Sequence, residues 1–192
     1  MNIVPQDPSA EEAERFGASL WELRVPIHAY LARRSPTDAD DLLVDVWVAA
    51  YTSRHTFDAA RGDVRPWLFG VARNVLRAHL RRSRRPATPF RQRDTSGQDW
   101  EAVDERLDAL SVAPELRAAL AQVPPAEREV LLLVAWEGLS PTEAASVLGL
   151  RQGTARSRLH RARERLRVAM SERSTDDRTS EGQKGTGREG RR

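Results

Sequence analysis

The stretch SPTEAASVLGLRQGTARSRLHRARERLR, residues 140–167, holds two helical patterns with a turn between them. Ser140 and Glu143 stand three apart, the spacing of a capping box in which each side chain satisfies an amide that the helix start leaves orphaned. Pro141 takes the first helical position, where its missing N–H removes no bond. Gly149 closes this helix as a left-handed C′ residue. The second pattern separates into two faces. At about 100° per residue, Ala155, Leu159, Ala162 and Leu166 form one narrow apolar stripe. Arg156, Ser157, His160 and Arg161 fall opposite, with Arg151, Arg158, Arg163, Arg165 and Arg167 around them, and Glu164 is the one acid. A thin stripe suits docking on the first helix, and an arginine face suits a major groove, because guanidinium forks match guanine edges and phosphates. A solvated helix of an all-α protein is the plainer reading, but such helices usually alternate charge sign, and this one does not. The segment is therefore read as a nucleic-acid-binding helix-turn-helix.

Composition sets the frame around that motif. The chain has 192 residues, enough for one or two small domains, and a net charge of only +3. The charge is segregated. Acids gather in 7–14, 38–45 and 99–108, and arginines in 73–93 and 151–167. This pattern predicts two kinds of surface, one for nucleic acid and one for a protein partner. Lys184 is the only lysine, so the arginine richness also fits a GC-rich genome. There is no cysteine, which excludes disulfides and thiolate metal sites within the chain. No apolar run is long enough for a bilayer and the N-terminus is acidic, so a cytoplasmic chain with no membrane insertion is expected. Nothing in the sequence asks for a cofactor.

The remaining segments read as helices. Residues 10–34 repeat Phe16, Leu20, Leu23, Ile27, Tyr30 and Leu31 at three and four, with Pro26 as a kink or a split. Asp38 starts the next helix with Asp41 at N3. Its acids are either helix-dipole chemistry or a docking face. Leu42, Leu43, Val46, Val48, Ala49 and Ala50 supply its apolar side, and Trp47 joins or flanks them. Residues 52–62 make a loop. Asp63 caps a long helix to about Arg82, with Trp67, Leu68, Val71, Ala72 and Val75 inward and Arg73, Asn74, Arg77 and Arg81 as a polar stripe. Phe69, Leu76 and Leu80 widen the apolar arc, which implies either two packing neighbours or a free aromatic edge. A linker over 84–111 follows, with Trp100, Val103, Leu107 and Leu110 able to form a short amphipathic turn. Residues 114–123 are a short helix. The next opens at Pro125, packs through Val130, Leu131, Val134 and Ala135, and ends at Gly138. A disordered tail is expected from Ser171. The fold class is all-α: two helical domains, 10–83 and 112–170, joined by a flexible linker.

The segments DADDLLVDVWVAAY, FDAARGDVRPWLFGVARNVLRAHLRR and VPPAEREVLLLVAWEGLSPTEAASVLGLRQGTARSRLHRARERLR, in that order, resemble a bacterial RNA polymerase sigma factor of the extracytoplasmic-function group. The resemblance runs from about Tyr30 to Arg167, outside the linker. It implies core RNA polymerase, promoter DNA in duplex and single-stranded form, and an anti-sigma factor as partners. It implies that Asp40, Asp41, Asp45 and Trp47 contact core polymerase. It places minus-ten recognition on Phe57 and Asp58 in the loop and on Trp67, Arg73, Asn74 and Arg77 in the helix. It places minus-thirty-five reading on Arg156, Ser157, His160 and Arg161. Arg158 and Arg165, on the flank of that helix, are read as backbone contacts. Strand opening calls for surface on which unstacked bases can lie and for cations along the backbone, which agrees. The chain departs from the family at Pro66, where a small helix former is usual, at Arg151, where Ser or Pro caps the recognition helix, and at Ala155, where a branched residue is usual.

Two other classes compete with this reading. A ligand-responsive regulator without polymerase binding would need a pocket or a phosphoacceptor in the N-terminal domain, and none is legible. Arg73, Asn74 and His79 resemble a pattern of helical RNA-cleaving domains, but His79 lies toward the apolar side of its helix, away from the other two. His28, His55 and His160 lack metal-ligand spacing.

Overall fold

A computed structural model describes residues 8–83 and 114–183, and among them the chain is helical throughout its regular structure. The helices are α1 (Pro8–Glu22), α2 (Arg24–Ala32), α3 (Ala39–Thr52), α4 (Val64–Ser83), α5 (Pro114–Ala121), α6 (Pro125–Ala135), α7 (Pro141–Leu148) and α8 (Gln152–Gln183), with 3-10 turns at Arg54–Thr56 and Ala59–Arg61. The all-α expectation holds. The linker over 84–111 and the amphipathic turn expected within it lie outside the described residues.

Pro26 splits the first helical pattern. The break falls at Leu23, between α1 and α2, because a proline ring clashes with the carbonyl four residues before it, here that of Glu22. In α3 the buried residues are Ala39, Leu42, Val46 and Ala50. Val48, expected on that face, is 62% exposed, since two residues beyond Val46 is about 200° around the helix. In α4 the buried arc is Pro66, Leu68, Phe69, Ala72, Leu76 and Leu80. Trp67, Val71 and Val75, expected inward, are only half-buried on its flank.

The shift of that arc has a cause in the C-terminal half. Leu133, Leu139, Ala144 and Val147 join Ile27, Leu31, Leu42, Leu68, Phe69 and Leu76 in one core, and α7 lies against α4. The two packing neighbours implied by the wide apolar arc are therefore the α2–α3 pair and α7. Tyr30 and Phe69 meet edge to face at 5.6 Å within this core. A second core holds the C-terminal half itself: Leu120, Val123, Val130, Leu131, Ala145, Ala155, Leu159 and Ala162. Ala135, expected to pack, is exposed, and Leu132 and Leu133 are buried in its place. Arg128, buried in the same half, donates to the Val123 carbonyl at 2.7 Å and closes the end of α5.

α8 runs to Gln183, past Ser171, where the sequence reading began a tail. No proline or glycine lies between Gly153 and Gly182, and each residue added to a formed helix gains a hydrogen bond for one pair of dihedrals fixed.

Candidate nucleic-acid interface

The helix-turn-helix forms as its sequence dictates. The Glu143 amide donates to Ser140 Oγ at 3.2 Å, and the Ser140 amide donates to Glu143 Oε2 at 2.7 Å. Gly149 has φ 64°, the left-handed conformation that a Cβ disfavours. Ala155 and Ala162 are fully buried and Leu159 nearly so, so the small residue at 155 lets α8 sit close on its partner helices. Arg151 provides no side-chain cap among the described contacts, but its carbonyl accepts the Ala155 amide at 3.1 Å.

Of the six side chains assigned to duplex reading, Arg156, Ser157 and His160 are exposed on one side of α8, and Arg158 is half-buried on its flank. Arg161 is placed differently. Its Nε donates to Glu127 Oε1 at 2.8 Å, and Arg165 Nε forms an ion pair with Glu127 Oε2 at 3.1 Å without hydrogen-bond geometry. Glu127 is buried on α6, while both arginines remain about half exposed. Arg161 therefore shares the Arg165 side of the helix. Farther along, Arg167 pairs with Glu164 at 2.6 Å, which lowers the Glu164 carboxyl from its usual range through that hydrogen bond.

The loop assigned to single-strand capture is built from two 3-10 turns. Asp58 caps the second by accepting the Ala60 amide at 3.0 Å. Gly62, at φ 151°, then turns the chain into α4. Phe57 and Trp67 pack at a tilt of 55° with centroids 5.6 Å apart, and the Trp67 indole donates to Thr56 Oγ1 at 3.3 Å. A third ring completes the cluster: Phe16 of α1 lies 6.0 Å from Phe57 and 5.6 Å from Trp67. The sequence counted Phe16 only as core, because a wheel drawn for α1 says nothing of a loop forty residues on.

Along α4, Asn74 is exposed and Arg77 half-buried. Arg73 is engaged, its Nε donating to Glu129 Oε1 of α6 at 2.6 Å with both side chains largely buried. Burial pushes the Glu129 carboxyl up, against the opposing pull of Arg73. His79, set aside as structural, pairs with Asp38 at 3.3 Å. The Asp38 carboxyl is held below its usual range by the hydroxyls of Ser35 and Thr37, and it makes no cap on α3.

On α3, Asp40, Asp41 and Asp45 are exposed, with Asp40 Oδ1 3.0 Å from His28 Nε2. Trp47 is half-buried against the core. Beside the acids stand Val44, Val48 and Tyr51, exposed at 60%, 62% and 57%. An open groove of about 370 Å³ adjoins them, lined by Asp45, Val48, Ala49, Val75 and Arg82 among others. A wheel drawn for α3 carries the signal for this mixed face, since 41, 44, 45, 48 and 51 recur at three and four. Among the described residues no group of His, Asp and Glu has metal-site geometry, and no helix is long and apolar enough to cross a membrane.

Comparison with known proteins matches residues 25–86 to Sigma-70 region 2 and residues 114–166 to Sigma-70, region 4. The ECF RNA polymerase sigma factor SigF of Caulobacter vibrioides is 35% identical over 162 residues, covering 82% of this chain and 86% of that one. SigM of Bacillus subtilis, also an ECF RNA polymerase sigma factor, is 30% identical over 140 residues, 72% of this chain and 83% of its own. The fold is similar to CnrH, solved in complex with the cytosolic domain of CnrY. The TM-score there is 0.55 at 31% identity, over 81% of this chain and 87% of that chain.

Proposed function

This chain belongs to the extracytoplasmic-function group of RNA polymerase sigma factors, which bind core RNA polymerase and direct it to promoters, and we propose how its residues divide that work. Residues 10–83 form the unit that docks on core polymerase and takes the minus-ten element. Residues 112–170 form the unit that reads the minus-thirty-five duplex. Asp40, Asp41 and Asp45, with Val44, Val48 and Tyr51 beside them, make the polymerase-docking face, with Trp47 as its half-buried support. Phe57 and Trp67 give a flipped base an aromatic surface, Asp58 shapes the loop, and Arg73, Asn74 and Arg77 follow the strand. Arg156, Ser157 and His160 meet base edges. Arg158, Arg161 and Arg165 meet the backbone.

The observation that carries this reading is the pair of surfaces on separate units: a capped helix-turn-helix with an exposed Arg156–His160 face, and an aromatic loop feeding a basic helix. The protein works in the cytoplasm as a regulator with no turnover of its own, and His79 serves structure through Asp38. A protein partner that masks the polymerase-docking face belongs to the same proposal, by analogy with CnrH and the cytosolic domain of CnrY. Transcription in vitro with core enzyme and genomic fragments tests it. Discrete promoter-dependent products are expected. Their absence from every fragment would overturn the reading, as would transcription unaffected by adding the protein.

A further inference from the structure

The loop between α3 and α4 has little inside it. Residues 54–56 and 58–60 are exposed, and Phe57 between them is half-buried. The Thr56 amide donates to the Ser53 carbonyl at 2.8 Å, the Phe57 amide to the Arg54 carbonyl at 3.0 Å, and the Ala60 amide to Asp58 Oδ1 at 3.0 Å. Bonds of this reach fix the shape of each turn. They do not fix where the loop lies against the helices.

That placement comes from the aromatic cluster, together with the indole bond from Trp67 to Thr56. Phe57 packs on Trp67 of α4 and on Phe16 of α1, and Phe16 meets Trp67 edge on, at 66°. The three centroid separations are 5.6, 5.6 and 6.0 Å, each a direct ring contact. Three rings that touch one another leave no slot between them for a base. A captured base therefore lies on an outer face of Phe57 or Trp67, with Phe16 behind. Phe16 is itself held. Leu20, four residues on and so on the same face of α1, is 8% exposed in the N-terminal core. α1 packs against both α2 and α4. Phe16 also precedes the segment matched to Sigma-70 region 2, which begins at residue 25.

We propose that Phe16 is a positioning residue for minus-ten recognition: from α1 it braces the Phe57–Trp67 pair, so that the loop is set for the base before DNA arrives. The proposal deepens the minus-ten reading given above and rests on it. A loop that is already ordered spends no binding free energy on ordering, so the base contact shows in full as discrimination. A loop that is set for part of the time weakens capture by that fraction. Phe16 belongs neither to the acidic face of α3 nor to α8, so core docking and duplex reading should not change with it.

Hydrogen exchange of the full-length protein, read by mass spectrometry, tests the brace without polymerase or promoter. Phe16→Leu and Phe16→Ala remove the ring, and Phe16→Tyr keeps it. Losing two ring pairs should speed exchange in peptides spanning residues 53–62 about tenfold, with α3 unchanged. Phe16→Tyr should exchange at the parent rate. The second arm uses holoenzyme and a fork-junction DNA from a promoter found in the transcription assay. Removing each minus-ten base in turn should give the parent an affinity penalty at the captured position. In Phe16→Leu and Phe16→Ala that penalty should shrink about tenfold, and Phe16→Tyr should retain it. Capture of core polymerase and binding of the upstream duplex should match the parent in all three. Circular dichroism identifies a variant that has lost its helices. Phe16→Leu, which keeps apolar bulk, then carries the test. Unchanged exchange in folded Phe16→Leu overturns the brace, whatever happens to the base penalty. Faster exchange with an unchanged penalty overturns the role in recognition, as does an equal loss of upstream duplex binding. A parent with no position-specific penalty overturns the minus-ten assignment and the consequence drawn from it, while the exchange result still judges the brace.

Discussion

Glu127→Gln tests how α6 governs the DNA-facing side of α8. Glu127 is buried, accepts from Arg161 at 2.8 Å and pairs by charge with Arg165 at 3.1 Å, while both arginines stay about half exposed. Solvent screens pairs of that kind, so each contributes about 0.2–1 kcal/mol, and glutamine retains part of the hydrogen bonding. The loss in folding stability should therefore be about 1 kcal/mol or less. The effect on DNA should have the opposite sign. A carboxylate that diverts two arginines from phosphate is gone, so binding to promoter duplex should tighten. The slope of log affinity against log salt should steepen by about 0.9 for each further phosphate neutralised. Fluorescence anisotropy of the full protein on one labelled duplex, at four or five salt concentrations, measures both quantities. An unchanged slope with weaker binding would refute the reasoning, because it would mean that Glu127 holds the arginines in the posture DNA needs.

On the same helix, Arg156→Ala should flatten discrimination among single-base variants of the upstream element, at about 1–3 kcal/mol for the matched base, while Arg161→Ala should weaken all variants alike. A binding panel in which Arg161→Ala is the more selective change would reverse these roles. Val48→Arg, on the exposed side of α3, should leave thermal unfolding within about 0.5 kcal/mol of the parent and reduce capture of core polymerase. Equal capture would remove this face from the docking surface. Burial raises the Glu129 carboxyl above its ordinary range, so its contribution to stability is fully present below that range and is lost as pH rises through the raised value. Urea unfolding across weakly acidic pH should show this decline, and Glu129→Gln should flatten it. A parent whose stability rises through that window would contradict the sign.

The helix-turn-helix was legible almost residue by residue, because its determinants are local. A capping box, a proline at N1 and a C′ glycine each act within one turn, and the apolar stripe of α8 needs only helical periodicity. What the sequence left open depends on contacts between distant segments. A wheel places Arg161 opposite the stripe, but Glu127, thirty-four positions away, turns its side chain toward α6. Phe16 joins Phe57 and Trp67 by the same kind of tertiary meeting. The wide apolar arc of α4 is the instructive case. Its excess over what one neighbour needs was visible, and the choice between a second neighbour and a free edge was not, because periodicity reports that a face is buried and not by what. Arg73 concentrates that ambiguity. The sequence offers it to DNA, and the folded chain gives it to Glu129.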